Sequence, residues 1–351
     1  MRAAFARTAV PLAAVLCGAA TATGALALPD VAPLTEEVLR AANAEGKVLF
    51  YTSVELELAE KVKAAFEAKY PGIRVQVERS GSERIFQRIG QEYGSGIYNA
   101  DVVNTSDAAH FIVWKRQGLL APYVTEDLAH DFAPEHVDAD GQFATWRASL
   151  SVIGYNTKYV KASEAPKSFA DLLDPKWRGL IVKGHPGYSG TILTATYEIA
   201  RELGWDYFRK LAGQKVMQGQ SAVEPPKKVA MGERPVMADG NEYVLFTLKA
   251  AGNPIEAVYP AEGTPFIASP SAVFAKAPHP NAARVFQHFL FSRETQQMLI
   301  DVGRTRSVHR LAKDPPDRKP LTEIKLMRDD PAAVVDKVDE IKANYTKYFG
   351  T

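Results

Sequence analysis

The sequence predicts an α/β fold built as two regions, each around a mainly parallel sheet flanked by helices. Short apolar, β-prone runs alternate with helical stripes, the order that lays crossover helices on both faces of a parallel sheet. At 351 residues the chain is long enough to bury two cores. Its hydrophobic and charged fractions, 46% and 24%, are those of an ordinary soluble globular protein.

The first residues are of another kind. Arg2 and Arg7 precede an apolar run from Ala9 to Ala20, and Ala25-Leu26-Ala27 offers small residues where a signal peptidase cuts. Residues 1–27 therefore read as a cleaved secretory signal, too short and too rich in small residues for a spanning anchor. The only cysteine, Cys17, lies inside this leader behind Leu16, which argues against lipidation. The mature chain then has no disulfide and no thiol chemistry. Without Arg2 and Arg7 it carries 40 basic against 41 acidic residues, a balance that suggests no nucleic-acid partner.

After the leader, Glu36 to Glu45 reads as a short helix, and Val48-Leu49-Phe50-Tyr51 as a buried strand. Leu58, Val62, Phe66 and Tyr70 fall four apart on one helical stripe, which Pro71-Gly72 ends. Ile73, Val75 and Val77 alternate with polar residues as a second strand, a helix with Ile85 and Ile89 begins at Ser82, and a third strand starts at Asp101. Ser149 to Tyr155 reads as one strand leading out of Trp146; Leu180 to Val182 and Val236 to Ala238 read as two more. Helices are expected from near Thr191 and from Tyr243 to Ala251. Pro278 and Pro280 are followed by Asn281 as the expected N-cap of a helix with Ala283, Phe286, Phe289 and Leu290 inward; a further helix opens at Ser292. From Pro315 the tail is charged and helical in pattern, with Ile341, Tyr345 and Phe349 on one stripe.

Four polar loops follow predicted strands: Thr52-Ser53, Ser80-Gly81-Ser82, Thr105-Ser106 and Ser189-Gly190-Thr191. In an open α/β sheet a ligand sits beyond the carboxyl ends of the strands, where helix N-termini offer unpaired N–H groups to an anion. A Ser or Thr there most often only caps its helix. Four such loops on one side of the sheets point to an oxyanion or polar organic ligand. Arg147 can serve as a planar fork for phosphate or carboxylate, or pair with a surface acid. Tyr188 can bond a ligand or pack on Pro186, while His110 and Glu83 read as structural.

Several phrases carry a family resemblance. Lys276 to Leu299, KAPHPNAARVFQHFLFSRETQQML, resembles the late segment of periplasmic solute-binding proteins that feed ABC importers. VLFYTS from Val48, NADVVNTSDAAHF at 99–111, KSFADLLDPKWRG from Lys167 and SGT at 189–191 fall in the same family order. The chain is most similar to the type II group around the ferric-iron binding proteins. The resemblance implies two α/β lobes with a ligand cleft between them: 28–105 as the first part of lobe 1, 106–265 mainly lobe 2, 266–310 back in lobe 1, and 311–351 as a helical tail. It also implies a periplasmic monomer partnered by an inner-membrane permease, with no resident cofactor.

Carried over by position, the family's ligand residues fall at Glu55, at Ser106 with Asp107, at Glu242-Tyr243 and at Ser189-Gly190-Thr191. The candidate ligand set is thus Ser53, Glu55, Ser80, Ser82, Thr105, Ser106, Asp107, Arg147, Tyr188, Ser189, Gly190, Thr191, Asn241, Glu242 and Tyr243. The expected cargo is a small anionic solute of the organophosphate or carboxylate type. The alternative is transported ferric iron on Glu55, Asp107, Glu242 and Tyr243, hard oxygen donors that suit a trivalent cation, with an anion on the 189–191 turn. A sensor that presents its closed form to a membrane receptor would use the same clamshell. No HExxH, GxSxG or Walker loop is present, so no catalytic motif is assembled and no enzyme is expected.

Overall fold

The computed structural model describes residues 30–350; the predicted leader and Cys17 lie outside them. Helix α1 (Glu36–Glu45) leads into β1 (Lys47–Thr52), α2 (Leu56–Lys69), β2 (Arg74–Arg79), α3 (Ser82–Gly94) and β3 (Val102–Asn104). Next come α4 (Ala108–Arg116), β4 (Leu120–Ala121), α5 (Glu126–Asp131), β5 (Ala144–Leu150) and β6 (Ile153–Asn156). The chain continues through β7 (Ile181–Gly184), α6 (Gly190–Leu203), α7 (Trp205–Ala212), β8 (Met217–Gly219), α8 (Glu224–Met231), β9 (Val236–Met237) and α9 (Glu242–Ala250). It closes with β10 (Ile255–Val258), β11 (Phe266–Phe274), α10 (Pro280–Phe291), α11 (Arg293–Asp301) and α12 (Pro331–Phe349).

Two sheets result. The first runs β2-β1-β3-β11-β4, with β5 along β11; the second runs β10-β6-β9-β7-β8. The centre of each is parallel, β1 with β2 and β3, and β7 with β8 and β9. Both are nevertheless mixed, because β11 pairs antiparallel with β3, β4 and β5, and β6 with β9 and β10. Strand β1 is covered on both sides. Val48 and Phe50 enter one apolar cluster, while Tyr51 enters the other, as the period-2 geometry of a strand requires. Around Phe50, Trp146 and Phe286 pack edge-on at 5.9 and 5.1 Å. The indole N–H of Trp146 donates to the Leu290 carbonyl at 3.1 Å, joining β5 to α10.

The structure revises three expectations. The run Ser149 to Tyr155 is not one strand: it breaks after Leu150 into β5 and β6, which belong to different sheets. The first sheet therefore holds the chain as far as Leu150, and the transfer to the second lobe falls at Ser151–Val152 rather than at residue 106. The reason is that β4 and β5 are claimed by β11, a strand more than a hundred residues later. At the crossing, the Ser151 N–H donates to the Pro265 carbonyl at 3.1 Å, so the outgoing and returning segments are bonded side by side. At α10 the cap position belongs to His279, and the Asn281 amide instead donates to Glu45 at 2.7 Å, fastening α10 to α1.

Apart from one 3-10 turn at Leu321–Glu323, the tail is helical only from Pro331. Before it, Thr264 donates to the Lys325 carbonyl and Met327 donates back to that of Thr264, at 2.8 and 2.9 Å. Helix α12 then lies across both lobes, with Val334 and Ile341 packed among Ala109 of α4 and Leu193 and Tyr197 of α6. Just ahead of α12, one Asp329 oxygen accepts from the Ala268 N–H of β11 at 3.3 Å, and the other is buried without a hydrogen bond. Burial raises this carboxyl from the ordinary 3.8 to about 7. A carboxyl that keeps its proton longer in the folded than in the unfolded chain costs stability as pH rises between those two values. The wild type should lose roughly 2–4 kcal/mol between about pH 4 and 7 at this site. Asp329→Asn should flatten that loss, read as a higher thermal midpoint at pH 8 with little change at pH 4.

Candidate functional site

Where the two sheets face each other, the chain forms a narrow polar cavity of ≈ 30 Å³. Lobe 1 lines it with Ser53, Arg79, Gly81, Ser82, Ser106 and Arg147. Lobe 2 lines it with Tyr188, Ser189, Thr191, Ser221, Ala222, Val223, Asn241 and Tyr243. A cavity of ≈ 580 Å³ lies elsewhere, between β11, the 135–145 segment and residues 321–331, with largely apolar walls. The small cavity is the better candidate despite its size, because it gathers hydroxyl, amide and guanidinium groups from both lobes at the carboxyl ends of the strands.

The residues reach this cleft for local reasons. Apart from Arg147, which lies within β5, they sit at the carboxyl ends of strands, in the loops that follow or in the first turn of the next helix: Ser53 after β1, Arg79 to Ser82 from the end of β2 into α3, Ser106 after β3. In lobe 2, Ser189 caps α6, Asn241 caps α9, and Ser221 to Val223 precede α8. The cleft is thus ringed by helix N-termini, whose free N–H groups and dipoles favour negative charge. The hydroxyls are pre-set: Ser82 Oγ meets Ser106 Oγ at 2.7 Å, and Ser53 Oγ accepts from the Ser106 N–H at 3.0 Å. Asn241 makes no capping bond, and its buried Oδ1 has no partner.

Arg147 dominates the electrostatics. It is 2% exposed, donates to Ser149 Oγ at 2.9 Å, lies 5.8 Å from the Tyr243 ring centre, and leaves its Nε unpartnered. Burial works against its charge, and no carboxylate pairs with it among the described residues. The same protein treats its other buried cations differently. Lys183 holds Asp239 at 2.6 Å, and Arg306 grips Glu242 through Nη2 at 2.7 Å and Nε at 3.0 Å. A buried guanidinium without a counter-ion costs several kcal/mol unless something supplies the charge.

Not every predicted residue comes here. Glu242 points away into the Arg306 and Tyr259 network, since Tyr259 donates to its Oε1 at 2.5 Å. Asp107 caps α4 through the Ala109 N–H at 2.9 Å and is buried behind the cleft wall with His110. The Thr105 hydroxyl donates to the Asp107 carbonyl at 3.2 Å, and Ser80 is outside the lining. Glu55 stands at a neighbouring pocket, paired across the lobes with Lys227 at 3.0 Å. Burial would raise its carboxyl, but the Glu57 N–H and Lys227 outweigh that and hold it below the usual range. The four residues of the iron alternative are therefore dispersed, and each of the three acids has a partner of its own. Arg79 and the 221–223 turn were not anticipated. Arg79 ends β2 directly before the Ser80-Gly81-Ser82 loop, so the rule that found the loop could have reached one residue further.

The lobes meet through glycine. A Cβ on Gly190 would stand 2.5 Å from Asp107 Cβ and 2.9 Å from the Ser106 carbonyl, so α6 touches the opposite wall with bare backbone. A Cβ on Gly81 would stand 3.2 Å from the Tyr188 carbonyl. Gly190→Ala should leave the open protein folded, with an unchanged midpoint in the absence of ligand, yet lower ligand affinity roughly 10–100-fold by holding the lobes apart. An unaltered Kd in calorimetric titration would refute the contact's role in closure.

Residues 99–325 match the family model described as bacterial extracellular solute-binding protein. Among curated proteins, the chain is 24% identical over 275 residues to an uncharacterized protein of Haemophilus influenzae, covering 75% of this chain and 78% of that one. It is 26% identical over 140 residues, 40% of each chain, to the Fe(3+)-binding periplasmic protein of Serratia marcescens. Among solved structures, the periplasmic binding protein AfuA of Actinobacillus pleuropneumoniae, with fructose-6-phosphate bound, superposes with a TM-score of 0.79 at 24% identity, over 87% of this chain and 99% of that one. Iron-bound HitA of Pseudomonas aeruginosa gives 0.74 at 25% identity, over 85% and 99%. With its two-lobed fold, its hinge-joined sheets and its polar cleft, this chain belongs to the bacterial extracellular solute-binding protein family.

Proposed function

We propose that the chain captures a small organic anion, of the organophosphate or carboxylate type, and delivers it to the membrane permease of an ABC importer. The observation that carries this reading is Arg147, a buried guanidinium with no acid beside it, in a cavity whose other groups are the Arg79 guanidinium, hydroxyls, an amide and helix N-termini. An anion supplies the missing charge, which makes closure over a ligand favourable and closure over water unfavourable. On this reading Ser53, Ser82, Ser106, Arg147, Tyr188, Ser189, Gly190, Thr191, Asn241 and Tyr243 form the ligand shell, joined by Arg79. The site binds and releases; its work is lobe closure rather than bond chemistry. The periplasmic-binding names of the Serratia protein and of an ABC transporter relative from Sinorhizobium fredii support the compartment and the permease partner. A monomer freed of residues 1–27 is the form proposed to act.

The test is thermal unfolding of the metal-free mature protein against sugar phosphates, inorganic phosphate, di- and tricarboxylates and ferric citrate. A ligand at ~100 times its Kd stabilises the folded form by about 2.7 kcal/mol. Organic anions should give that shift without metal, Arg147→Met and Thr191→Asp should abolish it, and Tyr243→Phe should weaken binding only moderately. A shift with ferric salts alone, a visible tyrosinate-to-iron band, and loss of all affinity in Tyr243→Phe would overturn the anion reading.

A further inference from the structure

Behind the lobe 1 wall of the cleft lie three groups that the proposed function does not use. Glu83 stands in the first turn of α3, Asp107 caps α4, and His110 follows one turn later; they are 6%, 1% and 5% exposed. His110 Nε2 lies 3.0 Å from Glu83 Oε1 and 3.6 Å from Asp107 Oδ2, and the three donor atoms fall within 4.8 Å of one another. A cation about 2.1 Å from each donor places neighbouring donors about 3.0 Å apart in octahedral and about 3.4 Å apart in tetrahedral geometry. The two His110 separations, 3.0 and 3.6 Å, are close to those values.

The Thr105 hydroxyl lies 3.2 Å from both the Asp107 carbonyl and His110 Nδ1, while Nε2 shares a 3.0 Å contact with Glu83 Oε1. The Nε2 edge faces two carboxylate oxygens, so either a proton or a metal ion occupies the point between them. Asp107 Oδ2 is buried with no hydrogen bond and is turned toward this point. Each of the three groups is also held from behind: Glu83 Oε2 by Lys342 Nζ at 2.8 Å, Asp107 Oδ1 by the Ala109 N–H at 2.9 Å, and Nδ1 by Thr105. Phe86 stacks on the ring at 4.4 Å and fixes its plane. Such support from the far side is what orients and strengthens metal ligands.

We propose that Glu83, Asp107 and His110 bind one divalent transition-metal ion, of the zinc type, as a fixed part of the protein rather than as its cargo. One imidazole and two carboxylates suit a borderline ion, and three protein ligands leave a position for water. The ion ties α3 to α4 directly beneath Ser82 and Ser106, so it sets the lobe 1 wall of the cleft.

The experiment is titration of chelator-treated mature protein with zinc chloride by calorimetry, repeated with cobalt chloride to read the visible band of a coordinated Co²⁺. Wild type should bind one equivalent and show the band. Asp107→Asn, which keeps the helix cap, and His110→Gln should each weaken binding roughly 100-fold. Arg147→Met should leave metal binding intact, which separates this site from the anion cleft; Asp131→Asn should do likewise, because Asp127, Asp131 and His309 form the other cluster able to offer three donors among the described residues. Absence of a Co²⁺ band, with nitrogen NMR showing His110 protonated at Nε2 at neutral pH, would overturn the proposal and assign the position to a proton. So would zinc binding that survives Asp107→Asn undiminished.

Discussion

Strand β11 is the element on which lobe 1 depends. Along its nine residues it bonds to β3, β4 and β5, gathering strands from before and after the α4–α5 excursion into one sheet. Its entry end is also where the chain returns from lobe 2, bonded beside the outgoing Ser151. Side chains from outside the sheet engage its amides as well: Glu198 of α6 accepts from Phe266 and Asp329 from Ala268. The strand is therefore both the mortar of one lobe and one half of the hinge.

The second organising fact is how the protein handles buried charge. Lys183, Arg306 and Arg318 each hold an acid, as burial in a low-dielectric interior demands. Arg147 is the exception, and its neighbours are hydroxyls and an unpartnered amide oxygen. On the proposed reading, the desolvation cost left open there couples ligand binding to closure, because an anion completes a charge the fold has left incomplete. The interlobe pair Glu55–Lys227, by contrast, is complete without a ligand and steadies the closed form only modestly, because both side chains are partly exposed.

Much of this was legible in the sequence. Val48 to Tyr51 announced β1, the Leu58 to Tyr70 stripe announced α2, and the polar turns after successive strands marked most of the cleft. What stayed hidden has definite causes. Pro270 disguised β11, because proline is rare inside a strand; here it sits at a register irregularity where β11 shifts against β5. Glu242 looked like a ligand beside Tyr243, but Arg306, sixty-four residues on, claims it. Asp107 was likewise drawn inward by its cap and by His110. Long-range partners of this kind leave no trace in local spacing, and they decide which way a carboxylate points.

Helix α12 has a consequence for the clamshell's range of motion. It packs on α4 of one lobe and on α6 and α7 of the other, with Lys342 tied to Glu83 and the Tyr345 hydroxyl reaching Gln218. Any rotation that separates α4 from α6 must slide this helix or peel it from one side, exposing part of the Ala109, Leu193 and Ile341 contact to water. The terminal helix thus acts as a leaf spring, limiting the gape of the empty protein and keeping its two jaws within reach of the next solute.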